Sequence, residues 1–231
     1  MTRGRSRRSS EVSSVFEKKV TLIGAGRLGS FTTLLMAKMA SAVGWAITVR
    51  DFDDVEAHNV LDQLYRKRDV GPNENRRKKT EALRTIVRNL TDVNIATSTE
   101  RADSTSELHG IVVVLVDTMK ARKEIFDASF EYDIPYYIEA RAGRGQATVY
   151  AFDPRNPDTR KKYRKTLYAD DEPGVQRAPC ANSETVPILW MVAATVAQLL
   201  VRHANTRLTA GELLEVAVDM NGLPHLSGEV Y

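Results

Sequence analysis

The sequence predicts an α/β fold, a doubly wound and mainly parallel sheet with helices on both faces. Three observations predict it. Strand-like and helix-like stretches alternate along most of the chain. A glycine-rich turn, Gly24-Ala25-Gly26-Arg27-Leu28-Gly29-Ser30, separates the first strand from the first helix. Ile111 to Val116 is aliphatic without a break, as expected of a strand covered on both faces.

Taken in order, residues 1–14 are rich in Arg and Ser with almost no apolar content, and they predict a disordered basic tail before a single domain over 15–231. Val20 to Ile23 is a short β-branched and aliphatic run ended by glycines, hence a buried strand. Leu28 to Val43 carries apolar residues at helical spacing, and Gly44 supplies a stop. Trp45 to Arg50 is the second strand and completes one βαβ unit. Tyr65 to Lys79 is a basic loop around Gly71-Pro72-Asn73. From Lys79 to Leu90, Ala82, Leu83, Ile86, Val87 and Leu90 share one helical face. Val93 to Ala96 and Ile111 to Val116 are strands, Lys120 to Tyr132 a helix, and Pro135 to Ala140 and Gln146 to Phe152 further strands. Asp153 to Pro179 breaks the rhythm with charge and proline, so a mobile crossover segment is expected over about 153–186. Pro187 to His203 is a helix with Pro near its start, and Leu213 to Val218 a late strand.

Composition narrows the function. The chain has 231 residues, 42% of them hydrophobic and 27% charged, enough to bury a core. Its 33 Lys and Arg against 30 Asp and Glu give a net charge of +3, too mild to suggest a nucleic-acid partner. The single cysteine, Cys180, excludes a disulfide framework and any zinc site of several thiolates. Ile188 to Val201, at roughly 14 residues, falls short of the ~20 needed to cross a bilayer. No membrane association is expected, and a cytoplasmic protein is the default. His58, His109, His203 and His225 show no metal-ligand spacing. Trp190 and Met191 belong to the core or to a subunit contact.

The glycine turn has the placement of a phosphate-binding loop. Gly24 permits the tight turn, Gly26 lets backbone approach a phosphate, and Gly29 lets the helix pack on the strand. The helix start then adds unsatisfied N–H groups and the positive dipole end. Asp51 follows the second strand, where an acidic residue holds ribose hydroxyls. That much fits a nicotinamide dinucleotide as well as ATP, and an NAD-dependent oxidoreductase stays open on these residues.

Further motifs point elsewhere. Asp51-Phe52-Asp53-Asp54-Val55 followed by Asn59-Val60-Leu61-Asp62-Gln63 resembles the D-x-D-x-V…N-L-x-R-Q signature of the ThiF/MoeB/HesA family of ubiquitin-activating-type enzymes. The likeness continues through Lys79, through Asp117 with Arg122, and to Cys180-Ala181, covering roughly residues 18 to 205. The resemblance implies a Rossmann-like adenylation domain of the compact bacterial or phage type. Its activity would be ATP- and Mg-dependent adenylation of a C-terminal carboxylate on a ubiquitin-like protein, a sulfur-carrier protein or a short peptide. It implies that Asp51 holds the ribose with Asp53 beside it, Lys79 the phosphates and Asp117 the magnesium ion, with Asn59 and Gln63 at polar positions of the pocket. It further implies a homodimer, a conjugating enzyme as a downstream partner, and thioester transfer through Cys180.

The chain departs from the family pattern in three ways. Asp62 stands where the family has Arg, which inverts a charge near the expected phosphates. Arg66, Arg68 and Arg27, the last in place of a family glycine, are near enough in sequence to substitute. The paired Cys-x-x-Cys zinc ligands of many relatives are missing, so no zinc is expected. The excursion is too short for an added catalytic-cysteine domain. Asp62 therefore keeps a second reading open, a catalytically silent nucleotide-binding scaffold or heterodimer half.

Overall fold

The computed structural model describes residues 18–72, 75–143, 145–172, 185–205, 211–222 and 224–231. Its elements run β1 (Lys19–Ile23), α1 (Arg27–Val43), β2 (Ala46–Arg50), α2 (Lys79–Thr91), β3 (Ala96–Ser98), β4 (Ile111–Val114), α3 (Met119–Ala128), β5 (Tyr137–Ala142), β6 (Gln146–Phe152), α4 (Pro157–Arg164), α5 (Val186–Asn205), β7 (Leu213–Asp219) and β8 (His225–Val230). They build one eight-stranded sheet in the order β3-β2-β1-β4-β5-β6-β7-β8. The strands from β3 to β5 pair in parallel. From β5 onward each neighbour is antiparallel.

Strand side chains alternate, so each strand feeds two cores. Val20, Leu22, Val49 and Val113 face one core with Phe31 and Met36 of α1, Leu83 of α2 and Val192 of α5. Ile23, Val112 and Val114 face the other with Ile125 and Phe126 of α3 and Tyr163 of α4. Helices therefore cover both faces, as expected. Helix α5 is long and apolar enough, by length and composition, to cross a membrane. Here it is a core helix, burying Ile188, Leu189, Val192 and Val196 against the sheet and α1. Trp190, on its outer side, is 41% exposed and leans on Phe31 at a centroid distance of 5.0 Å.

Most expected elements are present, and the differences have local causes. Asp92 takes a left-handed conformation (φ 60°) to end α2, and Val93 to Ile95 are used in returning to the sheet, so β3 starts at Ala96. Helix α3 stops at Ala128 instead of reaching Tyr132, because the Ser129 hydroxyl donates to the Phe126 carbonyl (2.6 Å) and competes with helical pairing. The expected excursion contains α4: Asn156 caps it by accepting from Asp158 N–H (2.8 Å), Pro157 opens it, and Thr159 and Tyr163 alone are buried. A helix anchored by two side chains leaves almost no hydrophobic period to read. Strand β8 was not expected, since every residue of it is exposed and it rests on β7 alone. The basic tail over 1–14 and residues 173–184 of the crossover lie outside the described residues.

Candidate functional site

The strand order reverses between β1 and β4, the place where open α/β sheets bind ligands beyond the carboxyl ends of their strands. Three chain segments leave the sheet there. Gly24 follows β1, and its N–H donates to the Arg50 carbonyl at the end of β2 (2.9 Å). Its φ of +100° excludes most side chains, and a Cβ on it would come within 2.6 Å of the Leu115 carbonyl oxygen beyond β4. The turn, Asp51 and Asp117 are thereby held at one edge.

The turn itself is open to an anion. Helix α1 begins at Arg27 with no acidic residue in its first turn and no side-chain cap on its N–H groups. A Cβ on Gly26 would meet nothing within 4 Å. Beneath the turn, the Ala25 peptide is fixed on both sides. Its N–H donates to Asp51 Oδ2 (2.6 Å), and its carbonyl accepts from the buried Tyr65 hydroxyl (2.6 Å). Asp51 Oδ1 accepts from Asp53 N–H (2.8 Å). Asp51 thus positions the turn, and each oxygen keeps a lone pair for a ligand hydroxyl. Tyr65 sits in the basic loop, where nothing in its surroundings marks it as a support of the turn. Burial and the nearby Asp51, Asp53 and Asp69 hold its hydroxyl well above the ordinary tyrosine range, so it stays a donor.

Burial raises the Asp51 pKa, although Ala25 N–H, Lys79 and Asp53 N–H favour the ionised form. The folded protein therefore holds this proton more readily than the unfolded chain does. The stability Asp51 contributes is greatest below its ordinary range and falls as pH rises through its raised folded value. Asp51→Asn forfeits one of two accepted N–H bonds, a deficit of about 1 kcal/mol that should shrink as pH rises from about 4 to 7. Urea titrations across that range check it, and a deficit that grows with pH contradicts it.

Most cations of the basic run are occupied. Lys79 Nζ, on a residue 8% exposed, contacts Asp53 Oδ2 at 2.9 Å. Lys78 pairs with Asp54 (2.9 Å), Arg77 with Asp69 (2.8 Å) and Arg76 with Glu56 (3.1 Å). Arg66 is half-buried, and its N–H donates to Asp69 Oδ2 (3.0 Å). Asn59 is buried, and its Oδ1 accepts from Glu56 N–H (2.8 Å), which makes it a brace of the 3-10 turn Ala57–Val60. Gln63 Oε1 is buried with no hydrogen-bond partner among the described residues, an acceptor still open to a ligand donor. Asp62 is 1% exposed and meets Arg27 Nε at 2.8 Å. The inverted charge is thus answered inside the turn.

Asp117 is exposed just after β4, between the Leu115–Val116 backbone that Gly24 abuts and the start of α3. Arg122 fixes that exit. It donates to the Val116 carbonyl and to the Ala140 carbonyl (2.8 Å), and it pairs with the fully buried Glu139. Glu139 also accepts from Arg141 Nε (2.8 Å) and the Tyr163 hydroxyl (3.2 Å). Asp170 lies 51 residues from α3 in sequence, a distance no local pattern spans. Its carboxylate nonetheless takes the Met119 N–H (2.8 Å) and Lys120 N–H (3.0 Å) at the start of that helix. A cleft of about 420 Å³ opens beside it, lined by Lys120, Lys123, Asp127 and Tyr168. Among the described residues no three potential metal ligands cluster. Cys180 lies outside the described residues.

Residues 7–222 match the family model described as the ThiF family. The chain belongs to the ThiF family. No curated protein sequence matches it. Among solved structures, PaaA superposes with a TM-score of 0.64 at 19% identity, covering 93% of this chain and 64% of that one. E. coli MccB with AMPCPP and MccA gives 0.65 at 16% identity, covering 94% of this chain and 64% of that one. A further structure of E. coli MccB gives 0.65 at 15%, covering 99% and 70%. The chain thus spans 64% of the length of the first two. At these identities the likeness establishes the ThiF-type fold.

Proposed function

We propose that this ThiF-family chain adenylates the C-terminal carboxylate of a peptide or of a small carrier protein of the ubiquitin fold, using ATP. One observation carries the reading: an uncapped glycine turn, Asp51 and an exposed Asp117 converge at the strand switch point. E. coli MccB, similar in fold, has been crystallised with ATP and with MccA, which supports a nucleotide and a peptide as the ligands of such a fold.

In the reaction a carboxylate oxygen of the acceptor attacks the α-phosphorus. The bond from that phosphorus to the bridging oxygen breaks, releasing pyrophosphate and leaving an acyl-adenylate. Two anions must approach, so the protein's part is to orient them and offset charge. The uncapped N–H groups at the start of α1 donate to phosphate oxygens, Asp51 orients the ribose, and Lys79, shared with Asp53, lies within the same cluster. Magnesium fits as a single-carboxylate site, since Mg²⁺ is ordinarily held by one or two carboxylates together with phosphate oxygens and water. Asp117, exposed just after β4, would be that carboxylate, and the ion would spread the charge on the phosphates. Thioester transfer at Cys180, a homodimer and a conjugating partner belong to the same reading.

Pyrophosphate–ATP exchange, with ubiquitin-fold proteins and short peptides supplied as acceptors, tests it. Asp117→Asn is expected to fold normally and to lower magnesium-dependent exchange by at least about tenfold. Tight binding of a nicotinamide dinucleotide in preference to ATP would overturn the assignment. ATP–magnesium binding without exchange for any acceptor would reduce the chain to a scaffold.

A further inference from the structure

Against the family signature Asp62 inverts a charge, with Asp where it has Arg, and Arg27 adds one, with Arg where it has glycine. In the fold the two side chains meet. Asp62 Oδ2 lies 2.8 Å from Arg27 Nε, the carboxylate side chain 1% exposed and the guanidinium side chain 23% exposed. Arg27 is the first residue of α1, so its backbone is part of the turn that would cradle the phosphates. Its Nη2 contacts the hydroxyl of Thr185, which stands immediately before α5. Nε and Nη2 are thus directed by the protein, while Nη1 has no partner among the described residues. A guanidinium set by an ion pair on one side and a hydroxyl contact on another, at an uncapped helix start, is directed toward an anion.

A buried carboxylate beside a phosphate site is a liability unless a cation stands between them. Three cations of the basic run are engaged with their own acidic partners: Lys79 with Asp53, Lys78 with Asp54, Arg77 with Asp69. We propose that Arg27 is the side chain that receives the terminal phosphates of the nucleotide, and that Asp62 is its positioning residue. Relative to the family signature the cation stands in the glycine turn instead of the loop after β2, and a carboxylate occupies the position it left and holds it. The link to Thr185 ties the same guanidinium to the entry of α5. The inference rests on the ATP reading, and it predicts which part of the nucleotide each side chain senses.

Titration calorimetry with ATP–magnesium and with AMP separates the cases. Arg27→Gln/Asp62→Asn removes both charges together, so no buried ion is stranded. It is expected to lose at least about tenfold in ATP affinity and to keep AMP affinity within about twofold. Asp62→Asn alone should lose part of the ATP affinity, and Asp62→Glu should recover most of that loss. Arg68→Ala is the competing arm, since Arg68 is exposed in the same loop, and is expected to keep the wild-type ATP-to-AMP ratio, while Arg88→Ala, exposed on α2, serves as the control. Wild-type ATP affinity in the double variant overturns the proposal. An equal loss of ATP and AMP also overturns it, because the pair is then only a structural staple of the turn. Loss of the ratio in Arg68→Ala transfers the role to that residue. A wild-type protein that binds neither nucleotide defeats the underlying ATP reading instead, and is recognised before any variant is made.

Discussion

Glu139→Ala is expected to lose about 3–5 kcal/mol of unfolding free energy. Glu139 is fully buried on β5 in register with Val114, and it accepts from Arg141 and Tyr163 while pairing with Arg122. Removing the carboxylate strands two guanidiniums on one side of the sheet. Arg122 keeps the carbonyls of Val116 and Ala140, and Arg141 keeps the carbonyl (2.7 Å) and hydroxyl (3.0 Å) of Thr166, so neither can move out to water without breaking further bonds. Urea denaturation measures the loss, and a deficit below about 1 kcal/mol would show that the network behaves like a surface pair. A companion variant isolates the cause. Glu139→Leu with Arg122→Met removes opposite charges together and should recover a large part of the stability. Because Arg122 also anchors Val116, beside Asp117, the single variant should lose exchange activity along with stability.

Gly29→Ala is expected to damage fold and nucleotide binding together, whereas Gly26→Ala should damage only binding. A Cβ on Gly29 would come to 1.7 Å from the Gly24 carbonyl oxygen and 2.7 Å from its carbon. Gly24 has no room to retreat, since it packs against the Leu115 backbone with φ at +100°. Relief requires α1 to shift away from β1, at about 3 kcal/mol or more for such overpacking. At Gly26 the same methyl meets nothing within 4 Å, so it enters the space in which a phosphate would approach. Thermal melts together with ATP titrations read both variants. Equal melting temperatures for the two would mean that the turn is looser than its contacts imply, and undiminished ATP binding by Gly26→Ala would remove the phosphate from the turn.

Several features were legible in the chain because they are local. The β1–turn–α1 unit is encoded by residues within one stretch, and its glycines, its helical period and the stop at Gly44 agree with one another. Sequence pattern bounds Gln146–Phe152 to the residue, and α2 and α5 to within a residue or two of their ends. The places of Asp51 and Asp117 at strand ends followed from the same alternation. Helix α4 and strand β8 escaped because one buries two side chains and the other none, which leaves no period to detect.

By itself the sequence determined the α/β alternation, the glycine turn and the ordered motifs of the ThiF family, all of which depend on spacing along the chain. Only the tertiary structure decided what each charge faces. It set Asp62 against Arg27, gave Lys79 to Asp53, tied the Ala25 peptide between Asp51 and Tyr65, and placed Asp170 on the start of α3. These pairs join residues from 26 to 51 positions apart. The energy of a charge depends on its partner and its distance from water, and both are set by packing, which spacing along the chain does not record.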